Sequence, residues 1–208
     1  PPEVLDAVGP YVPACLMLGS MLAQINPTIP QTLKFTASGN IAAADTTVLV
    51  ASVLKGLLSY KKGVTVTPVN AEQVAKRHGI DVVTASDPNT LGYFSSVSIV
   101  ADGIEASCTR SDPGRPARII SLFGYDMDIE PGEQSLIFEY GDASGRIGVI
   151  GTILGQHDIN ITTLRIGTRP DSDRAVVYMN VQGDVTDEII GELRGAISDL
   201  KNLWYVKL

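Results

Sequence analysis

Phe138-Glu139-Tyr140-Gly141-Asp142-Ala143-Ser144-Gly145-Arg146-Ile147-Gly148-Val149-Ile150-Gly151-Thr152-Ile153-Leu154-Gly155-Gln156-His157-Asp158-Ile159-Asn160-Ile161 changes its periodicity twice within a short span. Up to Tyr140 the residues are β-branched and aromatic, as a strand requires. Gly141 to Gly145 supply loop formers. Over residues 146–156, Ile147, Ile150, Ile153 and Leu154 fall on one face at helical spacing. His157-Asp158 turns the chain, and residues 160–166 return to strand character. The stretch is a β-α-β unit.

Working outward, residues 169–174 carry Pro170 among polar neighbours and read as a hairpin loop into a strand over 175–181. Thr186 is a predicted N-cap for a helix with Ile189, Ile190, Leu193 and Ile197 on one face. A last strand covers 203–206. The order is βαββαβ, a ferredoxin-like split unit. Upstream, Glu130-Pro131-Gly132-Glu133 is a cluster of turn formers. It sets the expected boundary, with domains over 1–132 and 133–208.

The first part reads as a mixed α/β domain, so the fold class is α+β. Helices are expected over 12–25, 46–58 and 71–78, the last capped by Asn70 and stopped at Gly79. Strands are expected over 33–38, 80–85, 93–101, 103–109 and 118–122, with Leu33, Phe35 and Ala37 on one face of the first. Asp102-Gly103 has the composition of a tight hairpin turn. The apolar run 14–25 is expected to be too short for a membrane span, and it lacks the basic flank of a signal peptide.

The composition is 44% hydrophobic and 19% charged, which fits an ordinary globular chain. A net charge of -7 argues against nucleic acid as a partner, because phosphate binding needs a basic face. Cys15 and Cys108 make no metal-ligand or disulfide pattern and read as small buried hydrophobes in a reducing cytoplasm. His78 and His157 sit beside turns with no nucleophile motif around them. No Gly-x-Gly-x-x-Gly follows a strand; the Gly145, Gly148, Gly151, Gly155 series lies inside a helix and permits close packing, not pyrophosphate binding. No catalytic residue and no metal site is expected, nor a cofactor in this chain. The chain opens on Pro1-Pro2-Glu3 and not on Met, which reads as a segment of a longer protein.

The run from Phe138 to Gly148, with Gly151, Gly155 and Ile159-Asn160-Ile161, resembles the opening half of an ACT domain. Ser144 stands where that family usually has Pro. Gly39-Asn40, Thr47 to Val50, Leu54-Lys55-Gly56-Leu57 and above all Pro68-Val69-Asn70-Ala71 are similar to the intervening domain of long-form D-3-phosphoglycerate dehydrogenases. That domain resembles an allosteric substrate-binding domain and precedes the ACT domain. The resemblance implies a regulatory segment that binds L-serine, or a related amino acid, as feedback effector of serine biosynthesis. It implies self-association through the ACT domain. It also implies a separate catalytic domain that oxidises 3-phosphoglycerate with NAD. Some L-serine dehydratases carry a similar domain pair and remain an alternative parent.

The resemblance marks Tyr140, Asp142, Gly145 and Asn160 as effector-binding positions. Positions matching Asp142 and Asn160 contact serine in the family, and they come from different subunits. The chemistry agrees: a zwitterion needs a carboxylate for its ammonium, and donors such as helix N-terminal N–H groups or an amide for its carboxylate. Taken singly, Asp142 and Asn160 are equally good turn residues. An anion site used by some family members would involve positions 118, 130 and 180. Arg118 keeps the positive charge, while Glu130 and Asn180 do not, so anion binding there is expected to be weak. Lys61-Lys62 and the 110–118 stretch read as solvated loops. A purely structural dimerisation module with a vestigial site is the other alternative, and Ser144 favours it.

Overall fold

The computed structural model describes residues 2–26, 28–59, 65–90, 92–110 and 116–208. The chain divides into two compact units, Pro1–Gly124 and Tyr125–Leu208. Lys61, Lys62 and most of the 110–118 loop lie outside the described residues.

In the first unit, α1 (Pro2–Val8) and a 3-10 turn (Gly9–Tyr11) lead into α2 (Val12–Ile25). The helical run Glu3–Ile25 is therefore 23 residues. By length and composition this longer helix could cross a bilayer; the expectation concerned only the apolar run 14–25 within it. Physically it behaves as a core helix: Ala14, Cys15, Leu18, Met21 and Leu22 are at most 1% exposed. After β1 (Thr32–Gly39), α3 (Thr47–Ser59) packs on α2. Then follow α4 (Ala71–Arg77), β2 (Asp81–Asp87), β3 (Ser95–Ala101), β4 (Ile104–Arg110) and β5 (Ala117–Leu122). Within this unit the strands lie in the order β2-β1-β3-β4-β5. Only β1 and β2 are parallel, and the other pairs are antiparallel.

Leu33, Phe35 and Ala37 are fully buried, as the alternation in β1 predicts. Asp102 (φ 46°) and Gly103 (φ 85°) make the β3–β4 turn, with both residues left-handed as a tight hairpin of this kind requires. Cys15 and Cys108 are fully buried and free. Hydrogen bonding to Cys108, then burial, pushes the Cys15 thiol well above its usual value. Asn70 departs from its expected role. Its Oδ1 accepts from the Thr67 N–H at 2.7 Å and its Nδ2 donates to Thr65 O at 3.1 Å. The side chain folds back on the preceding turn instead of capping α4, because its backbone is already helical (φ -108°, ψ -2°).

The second unit is described from Tyr125, where β6 (Tyr125–Ile129) begins. Gly124 (φ 76°) turns the chain just ahead of this strand, which the sequence reading did not expect. Its side chains tie it to the second unit: Tyr125 Oη is 3.0 Å from Ser172 Oγ, and the Arg169 guanidinium lies 5.1 Å from the Tyr125 ring centre. Next come β7 (Gln134–Gly141), α5 (Arg146–Gln156), β8 (Asn160–Thr168), β9 (Arg174–Gln182), α6 (Asp187–Ala196) and β10 (Leu200–Lys207). The last four strands form an antiparallel sheet in the order β10-β7-β9-β8. This is the predicted βαββαβ arrangement. One face carries the core: Leu136, Phe138 and Tyr140 of β7 meet Ile150 and Leu154 of α5 and Ile189 and Leu193 of α6. Thr186 caps α6 by accepting from the Ile189 N–H at 3.4 Å.

Candidate functional site

The loop between β7 and α5 is the centre of the candidate site. Tyr140 ends the core face of β7 and is 2% exposed. Burial, and then the negative charge of Asp142, push its hydroxyl up to about 12. Asp142 is exposed, and its N–H donates to Asp173 O at 2.8 Å, so its backbone is fixed while its carboxylate faces water. Gly145 takes φ 89° immediately before α5, a conformation that a side chain would strain. Its carbonyl accepts from the Val149 N–H at 3.1 Å, and the first turn of the helix leaves N–H groups unpaired there.

Asn160 begins β8 and is exposed, but it is not near this loop within one chain. Gly141 lies opposite Arg174 on β9, and Asn160 lies opposite Gln182. The two ends are about 26 Å apart at the usual strand rise. Tyr140, Asp142 and Gly145 thus share one end of the sheet, and Asn160 stands at the other.

Two charged residues that the sequence reading missed complete the loop. Arg146, the first residue of α5, has its Nη2 at 2.7 Å from Asp199 Oδ1, just ahead of β10. Asp199 also backs onto Gly141, where an added Cβ would stand 2.4 Å from Asp199 Oδ2. Arg146 was visible beside Gly145, but nothing in the sequence pairs it with a residue so far along the chain.

The second set of candidates falls in both units. Arg118 is on β5 in the first unit. Glu130 and Asn180 meet in the second, where Asn180 Nδ2 donates to Glu130 O at 2.8 Å. Asn180 Oδ1 also accepts from the Gly132 N–H at 2.8 Å and from Ser135 Oγ at 3.0 Å. Asn180 is therefore a buried structural amide that holds the turn before β7. His157 Nε2 contacts Glu192 Oε2 at 2.7 Å and links α5 to α6. Among the described residues no three His, Cys, Asp or Glu side chains gather as a metal site. The first unit has a cavity of about 630 Å³ between α3, α4 and β2, with Val50, Leu54 and Val82 in its lining. Asp45 at its edge accepts from the Thr47 N–H and hydroxyl, which lower its pKa.

Residues 7–109 match a family model described as the D-3-phosphoglycerate dehydrogenase intervening domain. The chain carries that domain. Over most of its length it is similar to D-3-phosphoglycerate dehydrogenases. It is 28% identical over 189 residues to the one from Bacillus subtilis (89% of this chain, 36% of the relative). It is 27% identical over 210 residues to the one from Methanocaldococcus jannaschii (100% of this chain, 40% of the relative). The chain thus spans about two fifths or less of the length of these relatives. Together with the βαββαβ unit, this agrees with the resemblance to the regulatory part of that family. Among solved structures, the ACT domain from GTP pyrophosphokinase of Chlorobium tepidum covers 35% of this chain and 95% of its own, at 14% identity and a TM-score of 0.29.

Proposed function

We propose that this chain is the effector-sensing segment of a D-3-phosphoglycerate dehydrogenase. Its second unit binds L-serine between two copies. Asp142 accepts the ligand's ammonium, the first turn of α5 faces its carboxylate, Tyr140 lies beside it, and Asn160 comes from the other copy. NAD-dependent oxidation of 3-phosphoglycerate would belong to the part of the parent enzyme that this chain does not span. Two free buried thiols suit a reducing cytoplasm.

One observation carries the reading. Asp142 and Asn160 stand at opposite ends of a sheet whose outermost strand, β8, ends the strand order. An unpaired edge is a template for another strand. If two copies pair β8 to β8 antiparallel, the Asn160 end of each meets the Asp142 end of the other, and the two-fold symmetry makes two equal sites. Leu164 (36% exposed), Ile166 (40%) and Val149 of α5 (38%) leave apolar surface beside that edge. Ligand that favours the paired state shifts the population toward it, which is what regulation requires.

The test is mixing. L-serine should raise the melting temperature of the chain and its dimer fraction in sedimentation, a stabilisation of about 2.7 kcal/mol at a hundredfold excess over Kd. Asp142→Ala and Asn160→Ala should each abolish the shift. Mixed together, the two variants should regain it in part, because one intact site per heterodimer is restored. Failure of the mixture to recover would place any site within one copy. If no amino acid shifts the parent chain, the sensor reading falls, and β8 pairing remains as a structural role alone.

A further inference from the structure

We propose that Arg146 is the carboxylate-selecting residue of the effector site, a guanidinium set opposite Asp142 so that the site takes zwitterions and rejects simple amines. The proposal rests on the amino-acid-sensor reading above and names the group that determines its ligand class.

Three observations support it. First, the loop is fixed at both ends through one carboxylate. Asp199 lies against Gly141 at the start of the loop and 2.7 Å from Arg146 at its finish. Asp142 and Arg146 are therefore held at defined places in the same short loop, and the Asp142 carboxylate itself makes no ion pair among the described residues.

Second, both groups act on the same hydroxyl. The charge of Asp142 raises the Tyr140 pKa and that of Arg146 lowers it. An acid and a base flank Tyr140 without neutralising each other directly. That is the complement of an α-amino acid, which presents an ammonium and a carboxylate on one carbon.

Third, the guanidinium is not fully satisfied. Arg146 Nε is shielded from solvent and has no hydrogen-bond acceptor. Its contact with Asp199 is close but poorly directed, since Asp199 Oδ1 also lacks a hydrogen bond of good angle. A guanidinium has five N–H donors and matches a carboxylate in planar, paired contacts. The Arg146 side chain is 23% exposed, so a ligand carboxylate would take its open N–H donors, with Asp199 keeping the side chain in place.

The experiment uses two probes on the whole chain: L-serine, and ethanolamine, which keeps the ammonium and hydroxyl but lacks the carboxylate. Calorimetric titration of the parent should show serine binding tighter than ethanolamine by about 10- to 100-fold, as expected for one charge-assisted contact. Arg146→Met should bring serine down toward the ethanolamine level, the α5 N–H groups keeping the remainder, and leave ethanolamine unchanged. Arg146→Lys should restore part of the difference, because it keeps the charge but not the fork. Equal loss of both probes in Arg146→Met would assign Arg146 a structural role and overturn the proposal. Unchanged serine binding would overturn it too, with the sensor reading intact. If the parent binds no amino acid at all, the sensor reading itself fails and takes this one with it.

Discussion

Gly19 and Gly56 should be intolerant of the smallest side chain, although both lie inside helices where alanine is intrinsically better. At Gly56 an added Cβ would stand 2.2 Å from Leu16 O and 2.7 Å from Ser20 N; at Gly19 it would stand 2.1 Å from Val53 O. These are backbone atoms of the facing helix, so no side chain can turn aside. Ordinary contact begins near 3.4 Å, and α2 and α3 must separate by about 1 Å. Leu18, Leu22, Leu54 and Leu57 on the same two helices are at most 1% exposed, and separation would loosen that packing. Overpacking of this kind costs about 1–3 kcal/mol, and sometimes more. Alanine returns about 0.8–1.0 kcal/mol in helix propensity. Because the blocking atoms are backbone, the cost falls in the upper half of that range, and Gly56→Ala should lose about 1–2 kcal/mol net. Gly191→Ala in α6 is the control, since nothing lies within 4 Å of its Cβ position, and it should gain up to about 1 kcal/mol. Urea denaturation followed by far-UV circular dichroism reads both units together, and the single tryptophan, Trp204 on β10, reads the second alone by fluorescence, so the first unit's loss appears in the difference. The double change Gly19→Ala with Gly56→Ala should cost less than the sum, because helices once parted admit both methyls. If Gly56→Ala matches or exceeds the parent in stability, the backbone contact between α2 and α3 is wrong.

Two further outcomes rest on buried and bonded polar groups. Asn180→Ala leaves the Gly132 N–H and the Ser135 hydroxyl without their acceptor and should cost about 2–4 kcal/mol, read from the Trp204 transition in urea; a loss under about 0.5 kcal/mol would mean that water replaces the amide. The Asp102 carboxylate accepts from the Thr32 and Gln31 N–H groups, which hold its pKa below the usual value. Its contribution is present above the unfolded pKa and is lost as pH falls through the lower folded one. Asp102→Asn, which tolerates the positive φ, should thus be less stable than the parent near neutrality and converge with it below about pH 4; a gap that persists at low pH would refute this.

The sequence by itself determined the second unit almost throughout. The helix over 146–156 matched α5 residue for residue, because a polar loop, a glycine and a clean helical stripe agree at every level. The Thr186 cap, the Asp102-Gly103 turn and the buried face of β1 were equally legible, since each depends on neighbours close in the chain. Where two local signals competed, reading stopped: Asn70 bonded backward where a forward cap was expected.

The candidate site divides along the same line. Tyr140, Asp142, Gly145 and Asn160 could be named from the family resemblance, but only the sheet register set Asn160 about 26 Å from the others. Only folding brought Asp199 against both Gly141 and Arg146, and only it turned Asn180 from a lost charge into the amide that ties down Glu130, Gly132 and Ser135. Periodicity and turn chemistry are local and can be read along the chain. Charge pairing, register and helix-to-helix approach join residues far apart in sequence, and they exist only once the tertiary structure has brought those residues together.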